Sequence, residues 1–221
     1  MNGLNYKSNL GIFYTNNCSP AVVSYCLNDI KKFSDQIDIL TCSWKPIPGN
    51  PFKHVLAATK NRNHLNIIIQ ILQLLYLAKN INQYEYVSFL EHDVLYPDSY
   101  FSFDPLKKEC KGFVNMNYIG LSNNGFQKRI QNDRPLHQIT MRFNEAVDHF
   151  ESTVKLALNN KEVFLEPKEL QVRHSKDPAI HINHGVHFTT HHRIYSHNIY
   201  ENDIFWGDGK LLMQKIMGTE N

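Results

Sequence analysis

Long apolar runs are scarce in this chain. The most apolar, Ile67 to Ala78, is too short to cross a bilayer and carries Gln70 and Gln73. Met1 to Leu10 is polar and lacks an apolar stretch of signal-peptide length. Together these features predict a soluble protein of the cytoplasm, without membrane insertion. Cysteine is sparse too: Cys18, Cys26, Cys42 and Cys110 show no C-x-x-C spacing and no dense framework, which argues against a structural zinc site or a disulfide scaffold and for reduced, partly buried thiols. Charge of one sign is also lacking. A formal net charge of +2 announces no polyanion partner, although Lys107, Lys108, Lys111, Lys128, Arg129 and Arg134 gather positive charge in one third of the chain. No repeat, low-complexity tract or Pro/Gly/Ser linker divides the sequence, so its 221 residues, 42% of them hydrophobic, read as a single domain.

What is present alternates between two periods. Leu10 to Tyr14 is a short apolar run that stops at Thr15-Asn16-Asn17, and Ser19-Pro20 then supplies a helix cap and a first-turn proline. Val23, Cys26, Ile30 and Phe33, three or four apart, should be buried by that helix before Ile37 to Cys42 forms the next strand. Pro46, Pro48, Gly49 and Pro51 mark a loop. His54 to Lys79 then reads as helical, with a stripe through Leu65, Ile68, Leu72 and Leu75. Tyr86 to Leu90 is a β-branched and aromatic strand that runs straight into Glu91-His92-Asp93. Strands alternating with helices predict an α/β fold with a Rossmann-like, mostly parallel sheet whose ligands sit beyond the strands' carboxyl ends. Pro105 to Arg134 reads as loops with a short strand in Gly112 to Gly120. From Asp133-Arg134-Pro135 a capped helix is expected through Ile139, Phe143, Ala146, Phe150, Val154 and Leu158, and a last short helix follows Trp206-Gly207-Asp208-Gly209.

Three constellations carry chemistry. Glu91 and Asp93 interrupt an apolar segment, since Phe89-Leu90 precedes them and Val94-Leu95-Tyr96 follows. Acids that break a core segment need partners, and two carboxylates one residue apart at a strand end can hold Mg²⁺ or Mn²⁺, which would clamp a diphosphate. A solvated strand end carrying two acids would look the same. The second is His181-Ile-Asn-His184-Gly-Val-His187, within a stretch holding six of the twelve histidines. In an extended chain His181, Asn183 and His187 share one face and His184 the other, so at most two serve one metal without a turn at Gly185. The third, Ala57-Ala58-Thr59-Lys60-Asn61-Arg62-Asn63, sets two cations and three amide or hydroxyl groups before or at a helix start, where backbone amides favour phosphate; an exposed helix end fits the same residues equally well.

These residues resemble the A-type glycosyltransferases, whose nucleotide-binding half ends at an acidic metal-binding triplet. Leu10 to Asn17 is similar to that family's first strand and nucleotide-contacting loop, Lys60 to Asn63 to its basic helix start, and Phe89 to Val94 to the triplet with its flanking hydrophobes. Glu91 departs from the usual first aspartate, which leaves Asp93 the stronger ligand and Glu91 acting through water. The resemblance implies a nucleotide-binding half over about 1–104 and an acceptor half over about 105–221. It implies a nucleotide-sugar donor, a UDP-sugar above all, contacted by Thr15, Asn16, Asn17, Lys60, Arg62 and His92. Mn²⁺ or Mg²⁺ would be held by Glu91, Asp93 and one of His184 or His187.

The short chain is similar to minimal members from phages and large viruses, some of which place sugars on hydroxymethylated pyrimidines in DNA. On that likeness the location would be a host cytoplasm and the acceptor DNA, with Lys107 to Arg134 on its phosphates and the target base flipped out. Inverting transfer would need a carboxylate base, for which Asp133 and Asp148 lie in the right part of the chain, although Asp133 can simply cap a helix. Retaining transfer would need none. A metal-dependent nucleotidyltransferase or hydrolase would use the same acids. A non-enzymatic nucleic-acid binder would instead use Phe113, Tyr118 and Phe126 with the basic middle.

Overall fold

The computed structural model describes residues 8–61, 63–103, 110–129, 134–159, 165–167, 169–184 and 195–218. Two sheets organise them. The larger is built on β1 (Asn9–Thr15), β2 (Asp38–Ser43), β3 (Lys53–Leu56) and β4 (Tyr86–Glu91), which run parallel in the spatial order β3-β2-β1-β4. β9 (Ile139–Arg142) lies antiparallel beside β4, and β6 (Gly112–Asn115) and β10 (Gln171–Arg173) complete seven strands. The smaller sheet has the order β12-β8-β7-β11-β5, from β12 (Tyr195–Tyr200), β8 (Gly125–Arg129), β7 (Tyr118–Ser122), β11 (Ala179–Ile182) and β5 (Val94–Leu95). A two-stranded ribbon, β13 (Asn202–Asp203) with β14 (Gly207–Asp208), leads into the last helix.

Alternation along β1 explains why helices cover both faces. Phe13 points into one core with Val23, Cys26, Ile30 and Phe33 of the segment begun by α1 (Pro20–Asp29). Leu10, Ile12 and Tyr14 point into the other, with α2 (His64–Lys79) and α3 (Phe143–Leu158). Phe89 of β4 meets Phe150 of α3 edge to face at 5.3 Å, an aromatic pair worth roughly 0.5–1.5 kcal/mol beyond its buried area. α4 (Gly209–Met217) closes the chain; the Asp208 side chain caps its start and Gly218, at φ 67°, ends it. Among the described residues no helix is long and apolar enough to cross a membrane.

The structure corrects several expected elements. Pro20 opens α1, but the Ser19 side chain makes no capping bond. The stretch read as one helix from His54 is divided: Lys53–Leu56 pairs with β2, and α2 begins only after Asn63, whose side chain accepts from Asn66 N at 2.9 Å. The middle holds three strands, β6 to β8, where one was expected. The helix expected from Pro135 starts eight residues later. Leu136–Gln138 is a single 3-10 turn, and Ile139–Arg142 is extended because β4 and β6 take its backbone hydrogen bonds on both sides. Ile139 and Phe143 are four apart and both buried, which mimics a helical stripe across a strand–helix junction.

Candidate functional site

β1 and β4 end side by side, with Tyr14 in register with Glu91. Beyond these ends opens a cleft of about 210 Å³. Tyr14 to Asn16 and Cys18 form one wall, Glu91-His92-Asp93 the floor, and the start of α2, with Asn63, His64 and Ile67, another wall; Trp44, Leu136 and Leu165 add apolar surface. This is where an open, mainly parallel sheet takes its ligands, and residues of the first turn of α2 line it.

Glu91 is held from two sides. The Tyr14 hydroxyl donates to its Oε1 at 2.7 Å, and His137 Nδ1 stands 3.1 Å from its Oε2. His137 comes from the turn that precedes β9, and the Tyr96 and Tyr100 hydroxyls fix it by donating to its carbonyl at 3.3 and 3.2 Å. Burial pushes the Glu91 carboxyl up, but the His137 hydrogen bond and charge, helped by Tyr14, bring it below the ordinary value. Burial and the neighbouring carboxylate together raise the Tyr14 phenol well above its ordinary value, so it remains a donor.

Asp93 is bound to the other sheet. β5 pairs antiparallel with β11, Val94 opposite His181, and Ile182 N donates to the Asp93 carbonyl at 2.7 Å. That register brings His181 Nε2 and His184 Nε2 to 3.6 and 3.5 Å from Asp93 Oδ2. Asp93 is only 6% exposed. Burial would raise its carboxyl, yet His92, His181 and His184 around it hold it well below the usual range. Burial lowers the His92 imidazole and favours its neutral form.

Of the expected donor contacts, Thr15, Asn16 and His92 line the cleft. Asn17 does not. It adopts φ 58°, its N–H bonds to Thr15 Oγ1 at 2.9 Å, and its side chain accepts from Lys45 N at 3.0 Å, so it shapes the loop. Lys60 is exposed and outside the lining, whereas Asn61 and Asn63 belong to it. Arg62, His187 and Asp133 lie outside the described residues. Asp148 is exposed on α3 and does not line the cleft, because the helix buries its Ala146–Val147 and Phe150 face and turns Asp148 outward. Of the basic middle, Lys107 and Lys108 are outside the described residues, Lys111 pairs with Glu169 at 3.4 Å, and Arg129 stacks over Tyr118 at 4.5 Å.

Sequence reasoning missed His137, Cys18 and Glu166, which all line the cleft. The potential metal ligands that converge also differ from the expected acid pair. Cys18 Sγ lies 3.4 Å from His92 Nε2, and ligand atoms of Cys18, His92 and His184 all fall within 4.8 Å of one another. These donors, beside the Asp93 carboxylate, fit a divalent cation; they are not the all-oxygen set that Mg²⁺ prefers.

No protein-family model and no curated protein sequence matches the chain. Among solved structures it is similar to a glycosyltransferase involved in glycosylation of the major capsid of the virus PBCV-1, at 9% identity and TM-score 0.47, over 81% of this chain and 94% of that one. It is also similar to the galactosyltransferase LgtC in complex with donor and acceptor sugar analogues, at 14% identity and TM-score 0.39, over 71% of this chain and 66% of that one. A third is a mannosyltransferase from Pyrobaculum calidifontis in complex with GDP-mannose and Mn²⁺, at 12% identity and TM-score 0.40, over 76% of this chain and 57% of that one.

Proposed function

We propose that the protein is a metal-dependent glycosyltransferase that moves a sugar from a nucleoside-diphosphate donor to a hydroxyl acceptor. The observation that carries the reading is the convergence of Glu91-His92-Asp93, His137, His181 and His184 with the start of α2 at the carboxyl ends of β1 and β4. The nucleoside would lie along Tyr14 to Asn16 and Trp44, with its diphosphate between the α2 N-terminus and Asp93. A divalent cation beside Asp93 and His184 would neutralise charge that develops on the departing diphosphate. Glu91, fixed by Tyr14 and His137, holds the floor of the cleft and contributes negative charge beside the donor. Glu166, the cleft's third carboxylate, replaces Asp148 as the group to test for proton removal from the acceptor. UDP-sugars and hydroxymethylated DNA are the first donor and acceptor to try, following the sequence resemblance.

The test incubates the protein with divalent cations, a panel of nucleotide sugars, and acceptors that include hydroxymethylated DNA, and identifies products by mass spectrometry. A free nucleoside diphosphate with a glycosylated acceptor is the expected outcome. A nucleoside monophosphate or a nucleotidylated product would overturn it in favour of nucleotidyl transfer or hydrolysis, and DNA binding without turnover would favour a binding protein.

A further inference from the structure

Three potential ligands far apart in sequence converge here: Cys18 and His92 line the cleft, and His184 is buried next to them. Cys18 follows β1, His92 follows β4 and His184 follows β11. One donor atom from each lies within 4.8 Å of the other two, with 3.4 Å between Cys18 Sγ and His92 Nε2. In a tetrahedral site with metal–sulfur and metal–nitrogen bonds of about 2.3 and 2.0 Å, sulfur and nitrogen stand roughly 3.5 Å apart, so small side-chain rotations would seat an ion. A thiol–imidazole hydrogen bond alone would explain the Cys18–His92 distance but not the approach of His184, whose ring centre is 5.8 Å from that of His92. The His184 side chain is only 1% exposed, and its Nε2 faces Asp93 Oδ2 at 3.5 Å, the placement of an outer carboxylate that orients a ligating imidazole.

We propose that the cation of this cleft is bound by Cys18, His92 and His184, with Asp93 ordering His184, and that the site therefore selects a thiolate-accepting ion such as Zn²⁺ or Co²⁺ over Mg²⁺. This deepens the reading above by naming the ligands and the class of its cation. Binding converts the Cys18 thiol to a thiolate and releases one proton to solvent. Softer donors favour these later divalent ions, and the hard, strongly hydrated Mg²⁺ finds too few oxygens here.

Titration of the metal-free full chain with Co²⁺ tests this by absorbance. The expected result is one equivalent of Co²⁺ with a sulfur-to-cobalt charge-transfer band, displaced by Zn²⁺ but not by excess Mg²⁺. Asp93→Asn weakens binding by about 10- to 100-fold and Cys18→Ser by at least as much, with loss of the band. The Cys110→Ser variant keeps it. Iodoacetamide labelling of the wild type gives a readout that needs no variant to fold: Zn²⁺ should protect Cys18 and leave the labelling of Cys110 unchanged. A Co²⁺ complex without a sulfur band, or Cys18 labelling indifferent to Zn²⁺, would overturn the ligand set. Sugar transfer supported by Mn²⁺ would survive that result, whereas a sulfur-ligated ion with no transfer would overturn the enzymatic reading alone.

Discussion

At the scale of single residues, the cleft depends on one imidazole that no motif marks. His137 joins Glu91 through Nδ1, its carbonyl receives two tyrosine hydroxyls, and its Nε2 is buried without a hydrogen-bond partner among the described residues. His137→Leu leaves the Glu91 carboxylate with Tyr14 as its remaining partner. Removing one member of such a partly buried pair costs about 2 kcal/mol, and we expect the melting temperature to fall by roughly 4–8 °C in a thermal melt. An unchanged melting temperature would mean that water replaces the imidazole at no cost. The sequence hid His137 because the surrounding apolar spacing reads as a helix. The signal that could have found it is local: Pro135 followed by Ile139-Thr140, a fixed turn and then β-branched character, favours a strand entry. Glu91 and Asp93 were legible, because two acids inside a buried segment demand partners, but the partners themselves come from loops distant in sequence.

At the scale of elements, the legible part of the fold is the part whose strands are buried on both faces. β1, β2 and β4 show as short apolar runs bounded by polar turns, and their helices show as three-to-four spacing. β3 and β9 were misread. β3 is a partly exposed edge strand with a mixed pattern, and β9 is four residues long between a turn and a helix. β9 matters because it sets His137 beside Glu91, and its pairing with β6 is tight at Gly112, where a Cβ would sit 2.5 Å from the Thr140 carbonyl oxygen and 3.0 Å from Met141 Cα. Backbone atoms cannot yield as a flexible side chain can. Gly112→Ala should therefore force the two strands apart and destabilise the protein by about 2 kcal/mol, read as a lower urea midpoint with an unchanged slope. A wild-type midpoint would show that β9 is not held as described.

At the scale of the whole molecule, the two sheets divide the work of building one cleft. The parallel sheet supplies Tyr14, Glu91 and the α2 N-terminus, and the smaller sheet delivers His181 and His184 through the β5–β11 pairing. The histidine-rich segment was legible as a cluster of imidazoles, but which of its members reach Asp93 depends on that register, which pattern alone does not fix. The Cys18 contact has no sequence signature at all, since it joins Cys18 to His92 across 74 residues. On the proposed function, this shared cleft takes a nucleoside diphosphate together with a cation. Calorimetric titration of UDP and of GDP into the wild type and into Asp93→Ala, with and without Mn²⁺ or Zn²⁺, checks this. One of the two diphosphates should bind the wild type, with an affinity that the cation raises at least tenfold and that Asp93→Ala reduces to the cation-free level; binding of neither, or binding indifferent to both the cation and Asp93, would rule out a cation-assisted diphosphate site here.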